Sequence, residues 1–254
     1  MYFIIFVIAL IVIFIFILAI LIIRSKTKSN IVSGPGYNYE TVKQLLKTGD
    51  IILFESMENG SNYGNFKHFM ISSVLGIKFK HSGIVLKYND ELYLLECCRY
   101  KQAGYKYATY INKNNNLVLN PNEKPGGVRI IKLDDIIREY TREYRGKFCV
   151  KFIDKEIPNG LILKEFDKYT HVKFGDMHKI LFKGVLDIFL SIGSQDTGFH
   201  DSMICSEFTH KMLLDCHVIK NTISSNVFWP FYYYNGIFDN LAIIKYSNPI
   251  CFSY

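Results

Sequence analysis

Three residues of the 254-residue sequence have the types and surroundings that covalent chemistry needs: His81, Glu96 and Cys205. His81 heads the stretch FKHSGIVLKY (79–88). Its alternation is that of a strand, and a strand usually spends inward positions on apolar groups. Asn89-Asp90 separates this run from a second, ELYLLECC (91–98), and an Asn-Asp pair suits a tight hairpin turn. With a two-residue turn, Tyr88 faces Glu91, and the register runs back to His81 opposite Cys98. The side-chain period of two then puts Glu96 on the His81 face, at about 7–8 Å on the diagonal, within reach of a long side chain. A four-residue loop with the same centre preserves that relation, and a three-residue loop reverses it. A carboxylate beside an imidazole holds its tautomer and stabilises its cation.

An imidazole–carboxylate pair can activate a nucleophile, and DSMICSEFTHKMLLDC (201–216) offers one. It reads as a helix with Asp201 or Ser202 as N-cap, which places Cys205 in the first turn. There the N–H groups and the helix dipole favour a thiolate and can hold an oxyanion. The plainer alternatives are a histidine satisfied at a sheet end, a carboxylate in solvent and a small buried thiol. Zinc is a poor fit to His200, Cys205, His210, Cys216 and His217. Five helical residues turn about 500°, so His210 points about 140° away from Cys205. Adjacent Cys216-His217 match no common finger spacing. Neither a metal nor another cofactor is expected.

These residues need elements to hold them. A helix is expected over 39–47, with Val42, Leu45 and Leu46 as its apolar face, and IILF (51–54) as a buried strand after Gly49-Asp50. A short helix is expected over 64–76, and strands over 80–88 and 91–98. Residues 99–126, rich in Tyr, Asn and Lys, read as a long surface loop. Strands over 127–133 and 147–153 flank a short helix opened by Asp134 or Asp135. Residues 155–200 are partly helical, and LAIIKY (241–246) reads as a late strand. The class is α+β, an antiparallel sheet packed against helices.

Residues 1–23 carry no charge and would span roughly 34 Å as a helix, enough to cross a bilayer. No basic residue precedes the run, and Arg24, Lys26 and Lys28 follow it, so it reads as a retained anchor rather than a cleaved signal. Those cations put the rest of the chain on the cytosolic side. Residues 24–38 read as a linker and 39–254 as one domain. The net charge of +7 is scattered, without the Lys/Arg block of a nucleic-acid arm, and fits a surface beside an anionic membrane. The six cysteines permit disulfides, which a domain of this size does not require.

TGDIILF (48–54), KHSGIVL (80–86), LYLLE (92–96) and ICSEFTH (204–210), in that order, resemble the permuted papain-like hydrolases of the NlpC type. The resemblance is closest to the YiiX/YebB-like group and its relatives in poxviruses and other large DNA viruses, and it covers roughly residues 44–215. It implies a permuted papain-like fold with His81 as catalytic histidine, Glu96 as its acidic partner and Cys205 as nucleophile. It also implies action on peptide-like amides or lipid acyl groups. Two functional classes follow. One is a membrane-anchored cysteine hydrolase or acyltransferase acting on an amide or ester of a membrane lipid or peptide-like substrate. The other is a catalytically silent, membrane-anchored structural or interaction protein of a large DNA virus. Oligomeric state is left open. If residues 1–23 anchor the chain, alkaline carbonate washing leaves it in the membrane pellet; release into the supernatant would rule the anchor out.

Overall fold

The computed structural model describes residues 32–55, 79–98, 108–111, 117–120, 126–144, 147–175, 201–223, 225, 228 and 230–254, together with Phe14, Ile17, Leu18 and Leu21. Those four positions are helical and exposed, and the remainder of the expected anchor lies outside the described residues. Among the described residues no helix is long and apolar enough to cross a membrane. The helix expected over 64–76 and much of 155–200, including His200, also lie outside them.

Eleven strands and five α-helices follow in chain order among the described residues: β1 (Val32–Asn38), α1 (Tyr39–Leu45), β2 (Ile51–Glu55), β3 (His81–Tyr88), β4 (Glu91–Cys98), β5 (Ala108–Ile111), β6 (Leu117–Asn120), β7 (Gly127–Lys132), α2 (Leu133–Tyr144), β8 (Lys147–Lys151), α3 (Asn159–Asp167), β9 (Lys173–Phe174), β10 (Ser202–Met203), α4 (Cys205–Asp215), α5 (Ile237–Leu241) and β11 (Ile250–Ser253). Nine strands form one sheet in the order β1-β11-β8-β2-β3-β4-β7-β5-β6, antiparallel except where β1 meets β11. The fold is thus mixed α+β, a large sheet packed against helices.

Both faces of the sheet are covered. On one, Ile51, Leu53, Ile84, Leu86 and Leu95 pack with Ile162 and Phe166 of α3 and Phe208 and Met212 of α4. On the other, Ile52, Phe54, Val85 and Leu94 pack with Val42 of α1 and Ile136, Ile137 and Tyr140 of α2. This two-sided burial is why the central strands carry continuous apolar runs such as IILF, and why β3 is buried from His81 through Leu86. Gly83 fits the crowding: a Cβ there would come within 2.8 Å of the Leu94 side chain.

The β3–β4 turn has two residues. Asn89 and Asp90 both have positive φ, 49° and 61°, and Tyr88 pairs with Glu91. That is the backbone of a type I′ hairpin, whose twist matches its strands.

Four expectations are corrected. The stretch read as a loop contains β5 and β6, a hairpin that carries the sheet past β7. Part of the expected linker, Val32–Asn38, is strand β1, paired parallel with β11 at the sheet edge. Residues 241–246 form no strand: α5 runs to Leu241, and only isolated bridges join Ala242 to Ile219 and Tyr246 to Ile153. The last strand is instead β11. On α1, Leu45 is exposed, and Tyr39 joins Val42 and Leu46 in the core.

Cys149 and Cys251 face one another on β8 and β11 and are disulfide-bonded, tying the C-terminal strand to the middle of the sheet. Closing a loop this long restricts the unfolded chain, and removing such a bond typically costs about 2–5 kcal/mol. Thiol titration of the denatured, unreduced protein should count four free cysteines, rising to six on reduction. A count of six before reduction would show the bond absent.

Candidate active site

His81 is the first residue of β3, and Glu96 of β4 lies one pair beyond Ile84–Leu95, diagonal to His81 and on the same face of the hairpin. Their side chains meet: His81 Nε2 is 2.5 Å from Glu96 Oε2. The imidazole packs against a pair of touching rings, Phe54 centred 5.3 Å away and Tyr140 stacked at 6.2 Å, and only 9% of the residue is exposed. Glu96 is fully buried. A carboxylate without water needs partners for both oxygens. The second partner is Arg129, directly opposite Glu96 in the β4–β7 register. Its Nε and Nη2 donate to Glu96 Oε1 at 2.7 and 2.5 Å.

Arg129 is the site residue the sequence reading missed. The signal was present: GVRIIK places one cation in an otherwise apolar strand core. Reading it required knowing that β7 pairs with β4, across the long intervening segment.

Cys205 approaches from the opposite layer. It is the first residue of α4, with its Sγ 3.6 Å from the carbonyl oxygen of Lys80, immediately before His81. The Cys205 sulfur is close enough to His81 to favour the charged imidazole. Because Nε2 faces Glu96, the ring nitrogen left for the thiol is Nδ1. The expected N-cap is corrected. Asp201 precedes and Ser202 lies in the short strand β10, which pairs with β9, so Ile204 caps the helix. An apolar side chain cannot accept a hydrogen bond, and Glu207 instead reaches back to the Ile204 N–H at 3.3 Å. The first helical bond runs from Phe208 N–H to the Ile204 carbonyl, so the N–H groups of Cys205 and Ser206 precede it.

Buried hydroxyls pin this helix to the histidine strand. Thr209 donates to the Cys205 carbonyl at 2.9 Å, leaving its oxygen to accept from Ser82, 3.2 Å away on β3. On the neighbouring strand, Cys97 donates to the Met203 carbonyl at 3.3 Å, just ahead of the helix. Of the other residues weighed for zinc, the three that are described serve elsewhere. His210 Nδ1 lies 2.8 Å from Ser225 Oγ with its ring stacked on Phe228 at 4.2 Å, Cys216 caps the helix end, and His217 is exposed beyond it.

A protein of Acanthamoeba polyphaga mimivirus, "Uncharacterized protein R372", is 31% identical to this chain over 240 residues, covering 92% of each. The chain belongs to the family of that mimivirus protein. No protein-family model matches it. Among solved structures, the crystal structure of metalloprotein yiiX from Escherichia coli O157:H7 overlaps 68% of this chain and 69% of its own, at 14% identity and a TM-score of 0.38. A score of that size carries no inference about activity.

In this member of the mimivirus protein's family the charges at the site reinforce one another. Burial would raise the Glu96 carboxyl, but Arg129 and His81 outweigh it and hold it down at about 2. Burial would lower the His81 imidazole, but Cys205 and Glu96 reverse that and raise it to about 10. Folding therefore favours the ionised form of each. Glu96 binds its proton less readily folded than unfolded. Its contribution is complete above its ordinary value of 4.5 and is lost as pH falls toward about 2. His81 behaves oppositely: its contribution is complete below 6.5 and is lost as pH rises through about 10. Denaturant unfolding of the parent, compared with Glu96→Gln, should show a stability difference that is largest between about pH 4.5 and 6.5 and shrinks on both sides. A pH-independent difference would mean that the pair is not ionised in the folded protein.

Proposed function

We propose that this chain is a thiol-dependent hydrolase or acyltransferase of amide or ester bonds, with Cys205 as nucleophile, His81 as proton carrier and Glu96 as the group that orients His81. The observation that carries the reading is the buried His81–Glu96 pair with the Cys205 sulfur at a helix N-terminus beside it, 3.6 Å from the carbonyl of Lys80.

The chemistry follows from the atoms. With His81 protonated on both nitrogens, Nε2–H is held by Glu96 and Nδ1–H is left to serve the Cys205 thiolate. The sulfur attacks a carbonyl carbon, a C–S bond forms, and the carbonyl π pair moves to oxygen. The N–H groups at the start of α4 stabilise that oxyanion. As the carbonyl reforms, the amine or alcohol leaves with the proton from Nδ1, and a thioester remains on Cys205. Water, or a second acyl acceptor, then gives its proton to Nδ1, attacks the thioester and expels the thiolate. Glu96 holds the ring throughout and exchanges no proton.

The substrate follows from the expected anchor: an amide or ester at a membrane surface, from a lipid or a peptide-like molecule, reached by residues 39–254 acting as one domain on the cytosolic side. The mimivirus relative supports an origin in a large DNA virus.

The other cysteines make the reading testable. Burial pushes Cys97 well up, and burial together with nearby charge pushes Cys98 and Cys216 up to about 12, while Cys149 and Cys251 are bonded to each other. A limiting dose of iodoacetamide at about pH 6.5, read by peptide mass spectrometry, should therefore modify Cys205 first. His81→Ala should erase that preference and abolish turnover of any ester substrate found. Preferential labelling elsewhere, or indifference to His81→Ala, would end the catalytic reading.

A further inference from the structure

Arg129 directs both Nε and Nη2 to one oxygen of Glu96, Oε1. That oxygen is the one His81 does not use. Guanidinium, carboxylate and imidazolium thus form a line in which charges alternate, and the Cys205 sulfur stands beside its end, 3.6 Å from the Lys80 carbonyl. We infer that Arg129 is a positioning residue that acts through Glu96, its fixed charge keeping the buried row neutral so that His81 and Cys205 stand as an ion pair. This rests on the catalytic reading of Cys205 and His81.

The reason is charge balance in a water-poor site. Glu96 is fully buried, His81 is 9% exposed, Cys205 is 6% exposed and the Arg129 side chain is 16% exposed. With all four ionised, two cations offset two anions. Without the guanidinium, the same ions leave one uncompensated negative charge, which a low-dielectric environment disfavours strongly. The site relieves it by taking up a proton on the thiolate, which reduces the reactive anion near neutral pH. The paired geometry also matters. Two donors from one planar group converge on Oε1, which turns Oε2 toward the ring.

Among the described residues, the thiols, phenols and carboxylate beside the row do not supply that charge, and Lys80, which precedes His81, is the same in every variant compared below. Cys97 and Cys98 of β4 and Tyr233 of the 3₁₀ helix Pro230–Tyr233 are pushed up by burial and stay neutral near pH 7. Tyr140 of α2 presents its ring face to the imidazole. Glu207 of α4 is a further carboxylate, engaged with the Ile204 N–H. None of these is a cation.

The test is the pH dependence of iodoacetamide alkylation at Cys205, measured peptide by peptide on the full chain. Arg129→Gln should raise the midpoint of the rate–pH profile by about one pH unit and slow labelling at pH 6.5 roughly tenfold. Arg129→Lys, which keeps the charge but loses the fork, should hold the parental midpoint. The double variant Glu96→Gln with Arg129→Gln removes one charge of each sign, and its midpoint should return toward the parent's. A purely structural arginine would lower the melting temperature in all three variants and leave the midpoints unordered. An unchanged midpoint in Arg129→Gln, or a shift in Arg129→Lys as large as in Arg129→Gln, overturns the inference. Should Arg129→Gln fail to fold, the Lys and double variants decide it, since a midpoint displaced in either contradicts charge balance. Failure of the catalytic reading looks different: Cys205 of the parent would then show no preferential labelling at all.

Discussion

A fully buried carboxylate is the constraint around which the centre of this protein is arranged. Removing Glu96 from water costs several kcal/mol unless each oxygen meets a donor. Oε2 meets His81 and Oε1 meets Arg129, so three adjacent strands must be in one register to satisfy a single side chain. A slip of one residue in β4 would turn Glu96 to the opposite face, among Ile84, Leu86 and the residues of α4, and would bring Leu95 to the histidine. The I′ turn at Asn89-Asp90 fixes the register on one side. The direct pairing of Glu96 with Arg129 reinforces it on the other.

The second requirement is that two layers meet at one point. His81, Glu96 and Arg129 lie on the sheet face covered by α2, whereas the helix bearing Cys205 covers the other. They meet because His81 begins its strand and Cys205 begins its helix. The sheet ends there, and the helix N-terminus reaches the Lys80 carbonyl, immediately before the histidine. The Ser82–Thr209–Cys205 chain and the Cys97–Met203 bond fix that approach from the helix side. Alternation along β3 therefore has two jobs: odd positions build the charged row, and even positions hold the helix that completes it.

Farther out, the sheet is extended rather than rebuilt. The β5–β6 hairpin continues it beyond β7, and β11 with β1 continues it beyond β8, where the disulfide secures the last strand. These additions leave β2, β3, β4 and β7 in the interior, where the paired rings of Phe54 and Tyr140 shield the imidazole. An enclosed ring needs its charge partners more than an exposed one does, because solvent no longer screens or stabilises it.

The sequence by itself determined whatever depends on local periodicity. The β3–β4 hairpin, its two-residue turn, the shared face of His81 and Glu96, and a helix beginning near Cys205 were all legible. Each follows from residues only a few positions apart, or from a turn whose chemistry sets the register. Only the tertiary structure decided the pairings between distant segments. β7 lies beside β4 across residues 99–126, so Arg129 could not be matched to Glu96 from spacing. Cys149 meets Cys251 across a separation of 102 residues, a connectivity that no count of cysteines supplies. Val32–Asn38, polar and rich in glycine, becomes a strand only because β11 offers it an edge. Residues 241–246 lose the strand they favour because burial of Phe238 and Leu241 at the end of α5 settles their backbone first. Propensity acts over a few residues, whereas register between remote strands is set by which faces must be buried together, and that is a property of the folded chain.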